Sequence, residues 1–287
     1  MEPIAKIASY ALYAIETGTF GLDGGAMFGV VPKPLWEKKI PSDAKNRIKL
    51  SARALLLEGH NRKILIDVGL GTKWQEKEKD IYAIDQSQNH LVASLELVGL
   101  KPKDISDVIL THLHFDHAGG STHKVEGKIV PTFPKATYHV QERNWNHANQ
   151  PTLRDKASYL KDDFFPLSTF DQLKLYQSPK SFDHDQELFP GIQALVCDGH
   201  TPGLQMIKIS DSHQTVVYCA DTIPTHAHLS IPWVMGYDLE PLKTLEEKRE
   251  LLKRCFENEW QLFFEHDCLY GLSKIASDEQ GRPRIVS

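Results

Sequence analysis

Apolar residues fall into short blocks along this chain, each closed by a turn signal. Residues 49–58 and 63–68 are two such blocks around Gly59-His60-Asn61, which predicts a β-hairpin. An earlier strand is predicted over residues 6–14. Leu91, Val92, Leu95, Leu97 and Val98 predict a helix over 86–98, stopped by Gly99 with Pro102 just beyond. Short apolar strands follow over 105–111 and 136–141. The second half repeats the theme with strands over 192–197, 205–209 and 215–220. Residues 240–259 give the strongest helix. Leu245, Leu251, Leu252 and Phe256 supply its apolar face, and Glu250 stands at pairing distance from Lys253 and Arg254. A last strand is predicted over 260–264. Strands with helices around them, twice over, predict an α/β chain built as a four-layer αββα sandwich: two packed mixed sheets with outer helices. The expectation is one domain, 1–287, made of two αβ halves. Two segments resist the scheme and are long enough to serve as lids: 18–46, rich in Gly and Pro, and 143–170, with Trp145, Tyr159, Phe164 and Phe165 among polar residues.

Composition narrows the function. The 287 residues carry 33 Lys+Arg against 38 Asp+Glu, a net charge of −5, which argues against a nucleic-acid partner held by bulk positive charge. No apolar run approaches a membrane span, and the first residues lack the basic and apolar regions of a signal peptide. Cys197, Cys219, Cys255 and Cys268 form no C-x-x-C, as expected of reduced thiols in a cytoplasmic protein. The exceptional count is histidine, at 14.

Five of those histidines and two carboxylates cluster at predicted strand ends. His112, His114, Asp116 and His117 sit in Thr111-His112-Leu113-His114-Phe115-Asp116-His117, directly after Val108-Ile109-Leu110. If the strand continued, period-2 alternation would send His112, His114 and Asp116 to one side, with His117 following as the chain turns at Ala118-Gly119-Gly120. Imidazole and carboxylate without thiolate suit Zn²⁺, and also Mn²⁺ or Fe²⁺. His200 stands in Gly199-His200-Thr201-Pro202-Gly203, Asp221 follows the strand 215–220, and His266 follows the strand 260–264. All occupy the C-terminal ends of apolar strands.

This sequence of motifs resembles the metallo-β-lactamase-fold hydrolases over essentially the whole chain, and Ile66-Asp67-Val68-Gly69 is similar to that family's early strand–turn motif. The resemblance implies two divalent metal ions, zinc foremost. His112, His114 and His200 would hold one; Asp116, His117 and His266 the other; Asp221 would bridge both; Asp67 would orient ligands without binding metal. Asp221 stands where zinc β-lactamases carry Cys, and His114 where the flavodiiron branch carries Glu, so neither of those activities is expected. The spacing of His200, Asp221 and His266, with the front loop 24–33, looks most like the branch of N-acyl-homoserine lactonases, whose role is quorum quenching, and methyl-parathion-type hydrolases. One position departs: the lactonases carry Tyr three residues after the bridging Asp, and here stands Pro224. Either another group supplies the proton, with His226 and His228 as the candidates, or the substrate is not a homoserine lactone.

The implied chemistry is a hydroxide shared by two metals attacking a lactone or carboxylic ester, with a phosphotriester or phosphodiester as alternative. A metal-binding module without turnover is a third reading. Asp116 is the candidate for moving the proton. Phe28, Phe115, Trp145, His226, His228 and Trp233, with Phe20, Met27, Trp36, Phe165 and Met235 behind them, are the expected walls for an acyl or aryl substrate. The expected partner is that small molecule, with neither nucleic acid nor membrane, and the apolar segment 24–36 points to a homodimer.

Overall fold

The structure is a computed structural model that describes residues 1–177 and 185–286. The chain divides into two compact units, Met1–Thr19 with Ala52–Ser178, and Phe20–Ser51 with Pro179–Ser287.

The first unit is organised on a mixed sheet of β1 (Ala5–Ile7), β2 (Tyr10–Asp23), β3 (Arg47–Gly59), β4 (Arg62–Ile66), β5 (Asp107–Ile109), β8 (Thr137–Gln141) and β9 (Leu173–Tyr176), in that order. A small hairpin, β6 (Thr122–Val125) with β7 (Lys128–Pro131), lies outside it. The long strands β2 and β3 pass from one unit into the other along the chain. The β3–β4 hairpin is the expected one, with His60 and Asn61 in the left-handed region at its turn. From β4 onward the pairs are parallel, and β5 and the Ile64–Ile66 part of β4 are buried, so their apolar runs need no alternation. Leu56, Leu65, Val108, Tyr138 and Phe164 belong to its core.

The second unit carries a mixed sheet whose strands follow chain order: β10 (Gln186–Phe189), β11 (Ile192–Cys197), β12 (Leu204–Ser210), β13 (Thr215–Tyr218), β14 (Gln261–Phe263), β15 (Leu272–Ser277) and β16 (Pro283–Val286). Its pairs are antiparallel except β13–β14. A parallel pair needs a crossover, and the helix Pro241–Asn258 lies within that connection. Pro241 opens the helix, where its missing N–H costs nothing, and Glu259 closes it in the left-handed conformation.

Several expected elements are corrected. The strand over 6–14 is a tight hairpin, because Ala8 and Ser9 both take positive φ and turn β1 back onto β2. The helix over 86–98 is only Leu91–Glu96: the Gln86 side chain donates to the Thr17 carbonyl, and His90 caps the helix instead of joining it. The strand over 105–111 stops at Ile109. On the long helix, Leu245 and Phe256 are only half-buried. The buried stripe runs Thr244, Glu247, Lys248, Leu251, Leu252 and Cys255. The two lid segments contain regular elements. The first holds the end of β2 and the helices Gly24–Phe28 and Lys33–Trp36, with Met27, Phe28 and Trp36 buried; the second holds Lys161–Thr169 and most of Glu142–Asn149. Among the described residues no helix is long and apolar enough to cross a membrane.

Candidate metal centre

In the first unit the site grows from the end of β5. Asp67 follows β4 with φ 54°, an uncommon conformation for a residue other than glycine, and its backbone N–H donates to the Ile109 carbonyl at 2.9 Å. The Asp67 side chain is fully buried. Its carboxylate accepts from Thr111 N and Thr111 Oγ1, both at 2.7 Å, and from His117 Nδ1 at 3.0 Å. These three donors stand in for the water that a buried carboxylate loses. Because the Thr111 hydroxyl donates to Asp67, it accepts from His112 Nδ1, 3.1 Å away. Both His112 and His117 therefore carry their proton on Nδ1 and present the Nε2 lone pair.

The chain leaves the sheet before it reaches these candidate ligands. His114 precedes a helical turn, Phe115–Ala118, that carries Asp116 and His117, so period-2 alternation does not deliver Asp116. The helical turn instead brings Asp116 Oδ1 to 3.9 Å from His117 Nε2. Asn144 Oδ1 accepts from Leu113 N at 2.9 Å and holds the intervening loop, while Tyr159 packs edge-on against His114. All four motif residues are buried.

In the second unit the same logic recurs. The turn after β11 is held by Glu247, whose carboxylate accepts from Asp198 N at 2.7 Å and Gly199 N at 3.0 Å. Burial pushes the Glu247 carboxyl up to about 7, against the pull of those two N–H donors. His200 follows and donates from Nδ1 to Asp238 Oδ1 at 2.9 Å. After β14, His266 donates from Nδ1 to the Ser51 carbonyl at 2.9 Å, and Ser51 N returns a bond to the His266 carbonyl at 3.0 Å. Asp221, on the short turn Ala220–Thr222 after β13, offers Oδ2 to His200 Nε2 at 3.2 Å and Oδ1 to His266 Nε2 at 3.1 Å.

These spacings test the donor set against a metal. Ligands about 2.0–2.1 Å from a tetrahedral zinc lie about 3.3 Å from one another. His112 Nε2 and His114 Nδ1 are 3.1 Å apart, and the two Asp221–histidine separations are 3.2 and 3.1 Å. His112, His117, His200 and His266 are each fixed through Nδ1 by a polar partner, leaving Nε2 as the donor atom. The residues fit the group.

The expected pocket residues fall into separate groups. Phe28 stacks on His228 at 4.6 Å and 3° and on Trp36 at 5.3 Å, with Trp233 edge-on. His228 donates from Nε2 to the Met27 carbonyl at 2.9 Å and accepts from Thr225 at 2.8 Å. Burial pushes its imidazole down to about 3, and both of its ring nitrogens are engaged, by Thr225 and by the Met27 carbonyl. His226 meets Asp267 through both its backbone N–H and Nδ1, beside the Tyr270 ring. Phe115 packs with Trp74 and Tyr82, and Trp145 with Phe164 and Phe165. Trp74, Tyr82, Thr111 and Asp238 went unnoticed in the sequence. Thr111 alone carried a signal, as a hydroxyl directly ahead of the histidine motif.

Comparison with known proteins agrees with this geometry. The signature of the metallo-beta-lactamase superfamily matches residues 48–254, well over half of the chain. The chain belongs to that superfamily, has its α/β fold, and is a hydrolase. A crystal structure of a probable metal-dependent hydrolase from Staphylococcus aureus is 31% identical, with a TM-score of 0.88 over 99% of this chain and 97% of that one. An N-acyl homoserine lactonase of Bacillus cereus is 26% identical over 235 residues, 77% of this chain and 83% of that protein. A dizinc quorum-quenching lactonase in complex with its product shares the fold, with a TM-score of 0.77 at 20% identity over 98% of this chain and 95% of that one.

Proposed function

We propose that this chain is a binuclear metal-dependent hydrolase of lactones or carboxylic esters. The observation that carries the reading is Asp221, whose two oxygens each face the Nε2 of a different anchored histidine, the disposition of a carboxylate shared by two cations. His112, His114 and His200 would hold one zinc ion, and Asp116, His117 and His266 the other, with Asp67 orienting His117. When bound, two such cations would supply Lewis-acid chemistry, activating water and polarising the electrophile's oxygen. The protein's own part is preorganisation: buried acceptors fix the imidazole tautomers, so the donor atoms need little rearrangement on loading. Asp116 would accept and return the proton from whichever oxygen it leaves free. A cavity of about 410 Å³ lined by Trp74, Tyr82, Phe115, Ile81 and Leu160 supports an acyl or aryl group beside the histidine motif. The names of the lactonase relatives support the lactone, and Pro224 marks where this chain differs from the resembling lactonases.

Elemental analysis tests the centre, paired with a lactone, aryl ester and phosphotriester panel before and after chelation. The expected result is about two metals per chain and chelator-sensitive lactone or ester hydrolysis. One metal or none after reloading overturns the seven-residue assignment. A preference for phosphotriesters overturns the substrate class while keeping the metals.

A further inference from the structure

The first unit holds a second, larger cavity of about 810 Å³, lined by none of the seven proposed ligands. Leu91, Val92, Val130, Pro131 and Phe170 give it apolar walls. Its charge is one-sided. Lys101, Lys103, His90 and His123 line it, and no Asp or Glu does. The neighbouring Asp104 carboxylate accepts from Lys101 N at 2.9 Å. Among the described residues neither lysine ammonium meets a carboxylate at ion-pair distance. Both glutamine side chains donate elsewhere: Gln172 Nε2 to the Phe133 and Ala136 carbonyls, and Gln86 Nε2 to the Thr17 carbonyl. His90 Nδ1 accepts from Ala93 N, so its remaining ring N–H is a donor.

We propose that this cavity binds an organic anion with a long apolar body, a long-chain acyl or polycyclic carboxylate. The apolar walls take the body, and Lys101, Lys103 and the His90 N–H take the carboxylate. A cation of the same shape meets two like charges, and a neutral hydrocarbon leaves the lysines unanswered. The volume lies in the upper part of the range of small-molecule sites, roughly 300–1,000 Å³, and exceeds the needs of a short acid. Binding there needs no metal.

Isothermal titration of the full chain with decanoate, and with decyltrimethylammonium as the same tail under opposite charge, tests this. Two variants accompany the wild type: Lys101→Gln with Lys103→Gln, which removes the charge, and Val92→Trp, which fills the cavity from the helix Leu91–Glu96. Decanoate should bind at one site, with the cationic amphiphile at least about tenfold weaker. The double variant should lose about tenfold for decanoate, and the filled variant should lose the heat of binding. Both should keep wild-type melting and hydrolysis, which shows that they fold. Equal affinity for the two amphiphiles overturns the anion assignment. Absence of binding, or decanoate binding undiminished in both variants, overturns the site.

Discussion

Lys248 lies on the core face of the helix Pro241–Asn258 with no exposed surface, its ammonium donating to the Trp233 carbonyl at 2.6 Å. Burial pushes its pKa down from 10.5 to about 7, and the Asp238 charge pulls only partly the other way. The unfolded chain binds this proton up to pH 10.5, the folded chain only below about 7. Between those values the unfolded state holds more protons, so the contribution to stability rises with pH. At about 1.4 kcal/mol per pKa unit, the lysine costs roughly 5 kcal/mol at pH 6 and roughly 1 kcal/mol at pH 10. Lys248→Met removes that cost in a similar volume. It also leaves the Trp233 carbonyl without its donor, worth about 1–3 kcal/mol. The variant should therefore be more stable than wild type by about 2–4 kcal/mol at pH 6, and equal or less stable by up to about 2 kcal/mol at pH 10. Urea unfolding followed by tryptophan fluorescence, with Trp233 beside the substitution, measures both. A stability difference of one sign and size at both pH values refutes the reasoning.

Asp238→Ala should weaken metal binding by about 10–100-fold, measured by competition with a chromophoric chelator, because His200 loses the acceptor for its Nδ1–H. Asp238→Asn should fall between the two, since its amide oxygen still accepts. Thr111→Val removes the hydroxyl donor to buried Asp67 and should destabilise the metal-free chain by about 1–3 kcal/mol in thermal or urea unfolding. Gly69→Ala should cost about 2 kcal/mol or more: φ is +66° there, and a Cβ would lie 1.9 Å from Thr17 Oγ1. An alanine variant that unfolds with wild type would show that β2 and the turn after β4 shift more freely than their packing implies.

Much of this molecule was legible because its chemistry is written in short, dense words. A strand buried on both faces must be a run of apolar residues, so β4, β11 and β12 stand out unaided. The metal motif is similarly compressed into six positions, 112–117. Backbone conformation was harder to read. Ala8 and Ser9 take left-handed φ without the glycine or asparagine that would announce a turn, and an alternating pattern then reads as one strand where there are two. The end of β5 was overread for the opposite reason: Leu110 continues the apolar run, but its N–H goes to the His139 carbonyl as the chain departs, and the proposed ligands arrive on a loop and a helical turn.

The positioning residues were illegible for a deeper reason. Asp238 matters because it takes the Nδ1–H of His200, 38 positions earlier, and Glu247 because it caps the turn that carries His200. Neither has a neighbour in sequence that reveals this, and on the long helix a charged residue is read as solvent-facing by default. Helical spacing alone favoured Leu245 and Phe256 for the core. Tertiary contacts decided otherwise, because the turn before His200 needs a carboxylate for its two bare N–H groups and the Trp233 carbonyl takes a lysine donor. Both partners are backbone groups, which no side-chain pattern records. Polar residues on the buried face of a helix are therefore the places to look for what holds a site: the solvation they lose must be replaced by some fixed partner.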